Sequence, residues 1–233
     1  MEGRRAIITG GGSGIGAACA ALLRLRGAEV VTVELEGGDI AADVRDPAAI
    51  ESAVDVAAAR LGGPADILVA AAGVYRIQPL VELDADGWDD VLHINLRGVF
   101  LTGRAVARRL IEAGLPGAMV NLASTAALQG GGDEPSAHYN ASKAGVVALT
   151  RQMAIEFAPH GIRVNCVCPG VIDTPMLRVM DDAEAGGAWV REAVPLARLG
   201  TAAEVASVIG FLLSDDASYV TGAALPIDGG LTA

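Results

Sequence analysis

Short apolar runs alternate along this chain with longer stretches whose apolar residues recur at helical spacing. The short runs predict strands near 5–9, 28–34, 39–42, 66–71, 117–123, 162–168 and 223–227. The longer ones predict helices near 14–26, 47–61, 86–113, 137–159 and 202–214. This alternation argues for an α/β fold in which helices cover both faces of a parallel sheet of about seven strands. The run Ile67-Leu68-Val69-Ala70-Ala71 is apolar without alternation, as a strand buried on both faces requires. Asp46-Pro47 supplies a cap and a first-turn proline for one helix, and Thr201 with Glu204 has capping-box spacing before another. Pro169-Gly170 ends a strand sharply. With no internal repeat, linker or low-complexity stretch, one domain over 1–233 is expected. The segment 175–200 carries Pro175, Asp181, Asp182, Gly186 and Gly187 around short helical pieces. It follows a strand end, where open sheets bind ligands, and is expected to form a small lid.

Composition narrows the function. Apolar residues make up 52% and charged residues 19% of the 233, which excludes a disordered chain. A net charge of −11 excludes a polybasic nucleic-acid binder. The longest apolar runs, such as Ile67 to Tyr75, are about half the ~20 residues a membrane span needs. After Arg4-Arg5 only Ala6-Ile7-Ile8 precede Thr9, too few for a signal-peptide core. Cys19, Cys166 and Cys168 have no zinc spacing, so no metal site is expected. The last two should face one side of a strand as buried hydrophobes. A reduced, cytoplasmic protein is the expectation.

Three constellations carry chemistry. The first strand runs into Thr9-Gly10-Gly11-Gly12-Ser13-Gly14-Ile15-Gly16 and then a helix. Glycines allow the tight turn and the close approach of a pyrophosphate, and the helix start offers free N–H groups. The second strand ends at Glu34, 18 residues past Gly16, where a carboxylate accepts from the adenosine ribose hydroxyls and repels a 2′-phosphate. Its neighbours are Val33 and Leu35, with no cation beside it, which favours NAD over NADP. Tyr139 and Lys143 lie four apart and share one helix face, where an ammonium is expected to lower the tyrosine pKa and make it a general acid/base. Lys143 is the only lysine among 17 cationic side chains, and a compact ammonium differs chemically from a guanidinium. Ser124 ends a strand, where its hydroxyl either donates to a substrate oxygen or caps a loop. Asn95 falls mid-helix, unfavourable unless its amide has a partner.

Together these residues resemble the short-chain dehydrogenase/reductase family, in its compact single-domain branch, over essentially the whole chain. The glycine-rich loop, Asp66-Ile67-Leu68-Val69 followed by Ala72-Gly73, Asn165 to Gly170 with Thr174-Pro175, and Asp228-Gly229-Gly230 all resemble family motifs. Asn95, Ser124, Tyr139 and Lys143 match the four catalytic positions. The resemblance implies a Rossmann-type doubly wound sheet and hydride transfer between NAD and a secondary alcohol or ketone. In it Tyr139 exchanges the proton and Ser124 holds the substrate oxygen. Lys143 binds the nicotinamide ribose, and Asn95 supports a water-linked relay. It further implies cofactor contacts at Gly10, Ser13, Gly14, Ile15, Gly16, Ala71, Ala72, Gly73, Pro169, Gly170, Ile172 and Thr174, with Asp43-Val44 at the adenine. It also implies a homotetramer built through the helices at 86–113 and 137–159.

Three departures stand out. Ala70-Ala71-Ala72-Gly73 replaces the family's Asn-Asn-Ala-Gly. Between Glu34 and Asp43 no crossover helix fits, so a bare loop is expected at Leu35–Gly38 with a more open adenine side. Ser124 and Tyr139 are 15 apart, about two more than the family resemblance implies. The stretch Gly130-Gly131-Gly132-Asp133-Glu134-Pro135 then reads as an enlarged loop at the substrate mouth, acting through Gln129 or His138. Two other functions compete: an NADPH-dependent reductase of carrier-bound 3-oxoacyl chains, disfavoured by Glu34 and the acidic charge, and a non-catalytic dinucleotide sensor, disfavoured by the presence of both Tyr139 and Lys143.

Overall fold

The computed structural model describes residues 1–130, 134–177 and 183–233. Seven strands form one parallel sheet: β1 (Arg5–Thr9), β2 (Glu29–Glu34), β3 (Ile40–Ala41), β4 (Ile67–Ala70), β5 (Gly117–Leu122), β6 (Ile162–Pro169) and β9 (Ala224–Ile227). Their order is β3-β2-β1-β4-β5-β6-β9. A two-stranded parallel pair, β7 (Ile172–Asp173) with β8 (Gly200–Thr201), stands apart.

The strands are buried on both faces, and their alternate residues feed two separate cores. Ile7, Val31, Leu68 and Met119 face α2 (Pro47–Arg60), α4 (Gly98–Ala113) and α5 (Ala137–Phe157). Ala6, Ile8, Ile67, Val69 and Val120 face α1 (Gly14–Leu25) and α7 (Ala202–Leu212). This is the parallel sheet with helices on both faces that the alternation predicts, and the doubly wound Rossmann-type architecture that the resemblance implies. Connections leave β1 in one direction and β4 in the other, so a crevice opens beyond the carboxyl ends of β1 and β4, where such sheets take ligands.

The predicted local signals are made. Asp46 accepts from Ala48 N at 2.8 Å at the start of α2, and Thr201 and Glu204 complete both bonds of a capping box. Cys166 and Cys168 share one face of β6, fully buried with Ala123, Val146 and Val147, and all three cysteines are free thiols.

Two regions refine the sequence reading. The stretch 86–113 is one helical run with a defect: α3 (Ala85–Leu92), a π-turn (His93–Arg97) and α4. The bare loop expected after Glu34 is present. The connection works without a crossover helix because β2 and β3 pair over only two residues, Val33 with Ile40 and Glu34 with Ala41. Asp39 closes it by accepting from Thr32 N at 2.8 Å and Thr32 Oγ1 at 2.9 Å. The Thr32 backbone bond is the main cause holding the Asp39 carboxyl below its usual range.

Within the segment 175–200, α6 (Ala183–Ala193) buries Val190, and Val194 just beyond it is buried too, while Met176 and Trp189 stay exposed. Val179, Met180, Asp181 and Asp182, part of the lid expectation, lie outside the described residues, as do Gly131, Gly132 and Asp133 of the enlarged loop. Among the described residues no helix is long and apolar enough to cross a membrane, and no cluster of side chains could hold a metal.

Candidate active site

The glycine-rich loop is shaped for close backbone approach. Gly10 has φ +71°, and a Cβ there would lie 2.6 Å from Ala72 N. Gly14 also has positive φ. A Cβ on Gly16 would lie 1.9 Å from the Gly10 carbonyl oxygen, so only glycine lets α1 start against the loop. Ser13 precedes α1 but makes no capping bond, and the first turn carries no acid. The helix start therefore keeps its N–H groups and positive dipole end for an anion. These features fit a dinucleotide pyrophosphate. Gly16→Ala is expected to destabilise the fold by about 1–3 kcal/mol through overpacking. It should also weaken binding of the reduced dinucleotide more than tenfold, checked by thermal melts and fluorescence titration.

Glu34 reaches back to this loop. Its Oε1 accepts from Gly12 N at 2.5 Å, and a Cβ on Gly12 would come within 3.3 Å of the carboxylate carbon. Ala71 N donates to the Thr9 carbonyl at 3.1 Å and Ala72 N to Thr9 Oγ1 at 3.4 Å, so Ala71-Ala72 is anchored by its backbone without the missing amides. Thr174 lies across the loop, 3.4 Å from where a Gly14 Cβ would be. Pro169-Gly170 rests on Asp228, whose carboxylate binds Gly230 N, Thr232 N and Thr232 Oγ1.

Three predicted cofactor residues have side chains committed elsewhere. The Ile172 side chain is buried in the core, leaving only its backbone for a ligand. Val44 packs against Gly98. Asp43 is gripped by Arg45 through Nε at 3.1 and 3.0 Å and a terminal nitrogen at 2.7 Å, which holds its carboxyl below the usual range; Arg45 also binds Asp90.

The four proposed catalytic residues converge beyond the ends of β4 and β5. Asn95 sits in the π-turn, fully buried, where its amide finds three partners. Oδ1 accepts from Val74 N at 2.8 Å, and Nδ2 donates to the Val74 carbonyl at 2.9 Å and to Ser142 Oγ at 3.1 Å. Ser142 in turn donates to the Tyr139 carbonyl at 2.7 Å, so Asn95 locks the exit of β4 to α5. Ser124, extended after β5, accepts from Ala126 N at 3.2 Å and hydrogen-bonds the Tyr139 side chain. Lys143 is buried, and its Nζ donates to the Leu122 carbonyl at 2.7 Å. Gly73 leaves room before it: a Cβ there would lie 3.6 Å from Lys143 Nζ and 3.2 Å from Asn95 Oδ1.

The electrostatics correct one expectation. Lys143 Nζ lies 5.7 Å from the centre of the Tyr139 ring and is bound to Leu122, not to the phenol oxygen. Burial lowers the Lys143 pKa to about 8. Burial also pushes the Tyr139 phenol above its ordinary value, and the Ser124 bond offsets this only in part. The chain's own groups thus leave Tyr139 a protonated donor rather than bringing its pKa toward neutrality.

His138 is also corrected: its side chain is buried, and its Nδ1 has no hydrogen-bond partner among the described residues, while Gln129 is exposed. Sequence reading missed Tyr75, whose ring stands edge-on to Tyr139 with centroids 4.7 Å apart. Its place two residues past Gly73, at a strand end beside the site, was the available signal.

Comparison with known proteins identifies the family. The family model described as enoyl-(acyl carrier protein) reductase matches residues 10–232. Cis-4-hydroxycyclohexanecarboxylate dehydrogenase of Sinomonas cyclohexanicum is 42% identical over 99% of this chain and 97% of its own length. A 3-oxoacyl-(acyl-carrier-protein) reductase of Salmonella typhimurium is 37% identical over 99% and 98%. The crystal structure of a short-chain type dehydrogenase/reductase from Mycobacterium marinum has a TM-score of 0.92 at 33% identity, covering 99% of this chain and 96% of that one. The chain belongs to the short-chain dehydrogenase/reductase family. It is an oxidoreductase of secondary alcohols and ketones that uses a nicotinamide dinucleotide.

Proposed function

We propose that this chain is an NAD-dependent secondary-alcohol dehydrogenase, acting as one catalytic domain. The observation that carries the cofactor choice is Glu34, whose carboxylate is held at the mouth of the glycine-rich loop by Gly12 N. Among the described residues no cation pairs with it, so a 2′-phosphate would meet a bare negative charge. The bound dinucleotide supplies a hydride acceptor or donor at its nicotinamide ring. Tyr139 exchanges the proton with the substrate oxygen, and Ser124, already bonded to Tyr139, holds that oxygen. Lys143, whose Nζ lies behind Gly73, would hold the nicotinamide ribose, and Asn95 keeps the β4 exit and α5 in register. A homotetramer would form through α4 and α5, as the family resemblance implies, and three buried free thiols suit a reducing, cytoplasmic setting.

The test is a set of initial rates with secondary alcohols, each offered with NAD and with NADP. Oxidation with NAD is expected. Turnover only of a 3-oxoacyl thioester with NADPH would replace this reading with the carrier-linked reductase. In Glu34→Ala, kcat/KM for NAD should fall roughly 10–100-fold, as loss of hydrogen bonds to a charged group does, with no loss for NADP. An unchanged NAD to NADP ratio would remove Glu34 from the cofactor site.

A further inference from the structure

Beside Tyr139 the structure builds an acid–phenol pair that no sequence motif announces. Tyr75 lies edge-on to Tyr139, with ring planes at 82°. Its hydroxyl donates to Glu134 Oε2 and is also hydrogen-bonded to the Ser136 hydroxyl. The two segments are tied independently of these side chains, because Gln78 N donates to the Pro135 carbonyl at 2.8 Å. Ser136, buried, returns a bond to the Glu134 carbonyl at 3.3 Å and meets Asn140 Oδ1 at 3.1 Å. Tyr75 and Glu134 are both half-buried. Among the described residues no cation pairs with Glu134, and its Oε1 has no hydrogen-bond partner.

A half-buried carboxylate needs donors for its open lone pairs. Here it stands one phenol ring away from the tyrosine proposed to react, held in place by that ring. A neutral hydroxyl donates to it well, whereas a carboxylate or phosphate on the substrate is repelled. We propose that Tyr75 and Glu134 form the subsite for a second substrate hydroxyl, and that the substrate class is a neutral diol or polyol. Its reacting carbinol lies at Tyr139 and Ser124, and a neighbouring hydroxyl donates to Glu134. This rests on the reading of Tyr139 and Ser124 as the reacting pair.

The experiment compares cyclohexanol with its vicinal diol, a hydroxycyclohexanecarboxylate and the protonated amino alcohol of the same ring, using NAD and NADP. A calorimetric titration of the diol onto NADH-saturated enzyme runs alongside. The wild-type protein should prefer the diol to cyclohexanol by at least about tenfold in kcat/KM, the scale at which a site built for a hydroxyl rejects its deoxy analogue. Glu134→Gln should cut that ratio about tenfold through KM, weaken diol binding by a similar factor, and raise relative activity on the carboxylate. Tyr75→Phe, which keeps the ring and releases Glu134, should lower the same ratio several-fold.

An unchanged diol preference in both variants overturns the subsite. A wild-type preference for the carboxylate or the amino alcohol overturns the substrate class. If no alcohol reacts yet the diol binds in a Glu134-dependent way, the subsite stands and the dehydrogenase reading falls. If no alcohol reacts and no diol binds, both fall.

Discussion

Tyr139→Phe should lower kcat by roughly 10²–10⁴-fold, the range expected when a positioned general acid/base is removed, while NADH binds within about threefold of wild type. The substitution removes one oxygen and keeps the ring. The edge-on contact with Tyr75 and the face presented to Lys143 survive, so the site should not collapse. What is lost is the hydroxyl that hydrogen-bonds Ser124, the one phenol among the four converging residues. Because the chain's own groups hold that phenol above its ordinary pKa, it enters the site protonated at neutral pH. Rates with the best alcohol, set against a fluorescence titration of NADH, separate chemistry from binding. A residual rate within tenfold of wild type would place the proton route elsewhere.

Lys143→Met should combine a loss of turnover of at least about a hundredfold with a distinctive pH dependence of stability. The buried ammonium has its pKa lowered to about 8 from 10.5 by desolvation. Below pH 8 the group is charged in both folded and unfolded chains, and its burial penalty is present in full. Between about pH 8 and 10.5 the unfolded chain binds the proton and the folded chain does not, so stability contributed by this group rises with pH. The methionine variant lacks this term. Wild-type protein should therefore gain on the order of 3 kcal/mol relative to the variant between pH 7.5 and 10.5. Part of the comparison at fixed pH is the Leu122 carbonyl, which loses its donor in the variant; that contribution does not change with pH. Denaturant melts of both proteins across this range measure the difference directly. A flat difference would show that Lys143 is not desolvated in the folded chain.

The two variants probe opposite sides of one arrangement. Tyr139 and Lys143 share a helix face, as their spacing requires, yet the structure gives them separate partners: Ser124 for the phenol, Leu122 for the ammonium. The ammonium is held by a backbone carbonyl and lies 3.6 Å from where a Gly73 Cβ would be, not on the phenol oxygen of its neighbour. The helix period brings the two residues close; burial determines their charge.

Much of this protein is written locally. The strands of the central sheet and the helices on its two faces were readable because each buries a repeating pattern of apolar positions, with period two or unbroken in strands and 3.6 in helices. The caps at Asp46 and Thr201 were readable because a cap involves only its own helix turn. The glycine-rich loop was readable because its backbone conformation excludes other residues whatever surrounds it. The absence of a crossover helix after Glu34 followed from counting residues. Other features were settled only when distant segments met. Val74 and Ser142 give the Asn95 amide its partners, and the helical run makes room for it with a π-turn that no spacing foretold. Tyr75 meets Glu134 across 59 positions of sequence, a contact that no local pattern announces. His138 goes inward, one residue before a side chain that faces the cleft. The direction of the Tyr139 pKa depends on how much water the fold removes and which donor it supplies, quantities that exist only after packing. Local periodicity and backbone geometry determined the elements and the class of protein; desolvation and long-range hydrogen bonding decided how its reactive groups are charged and partnered.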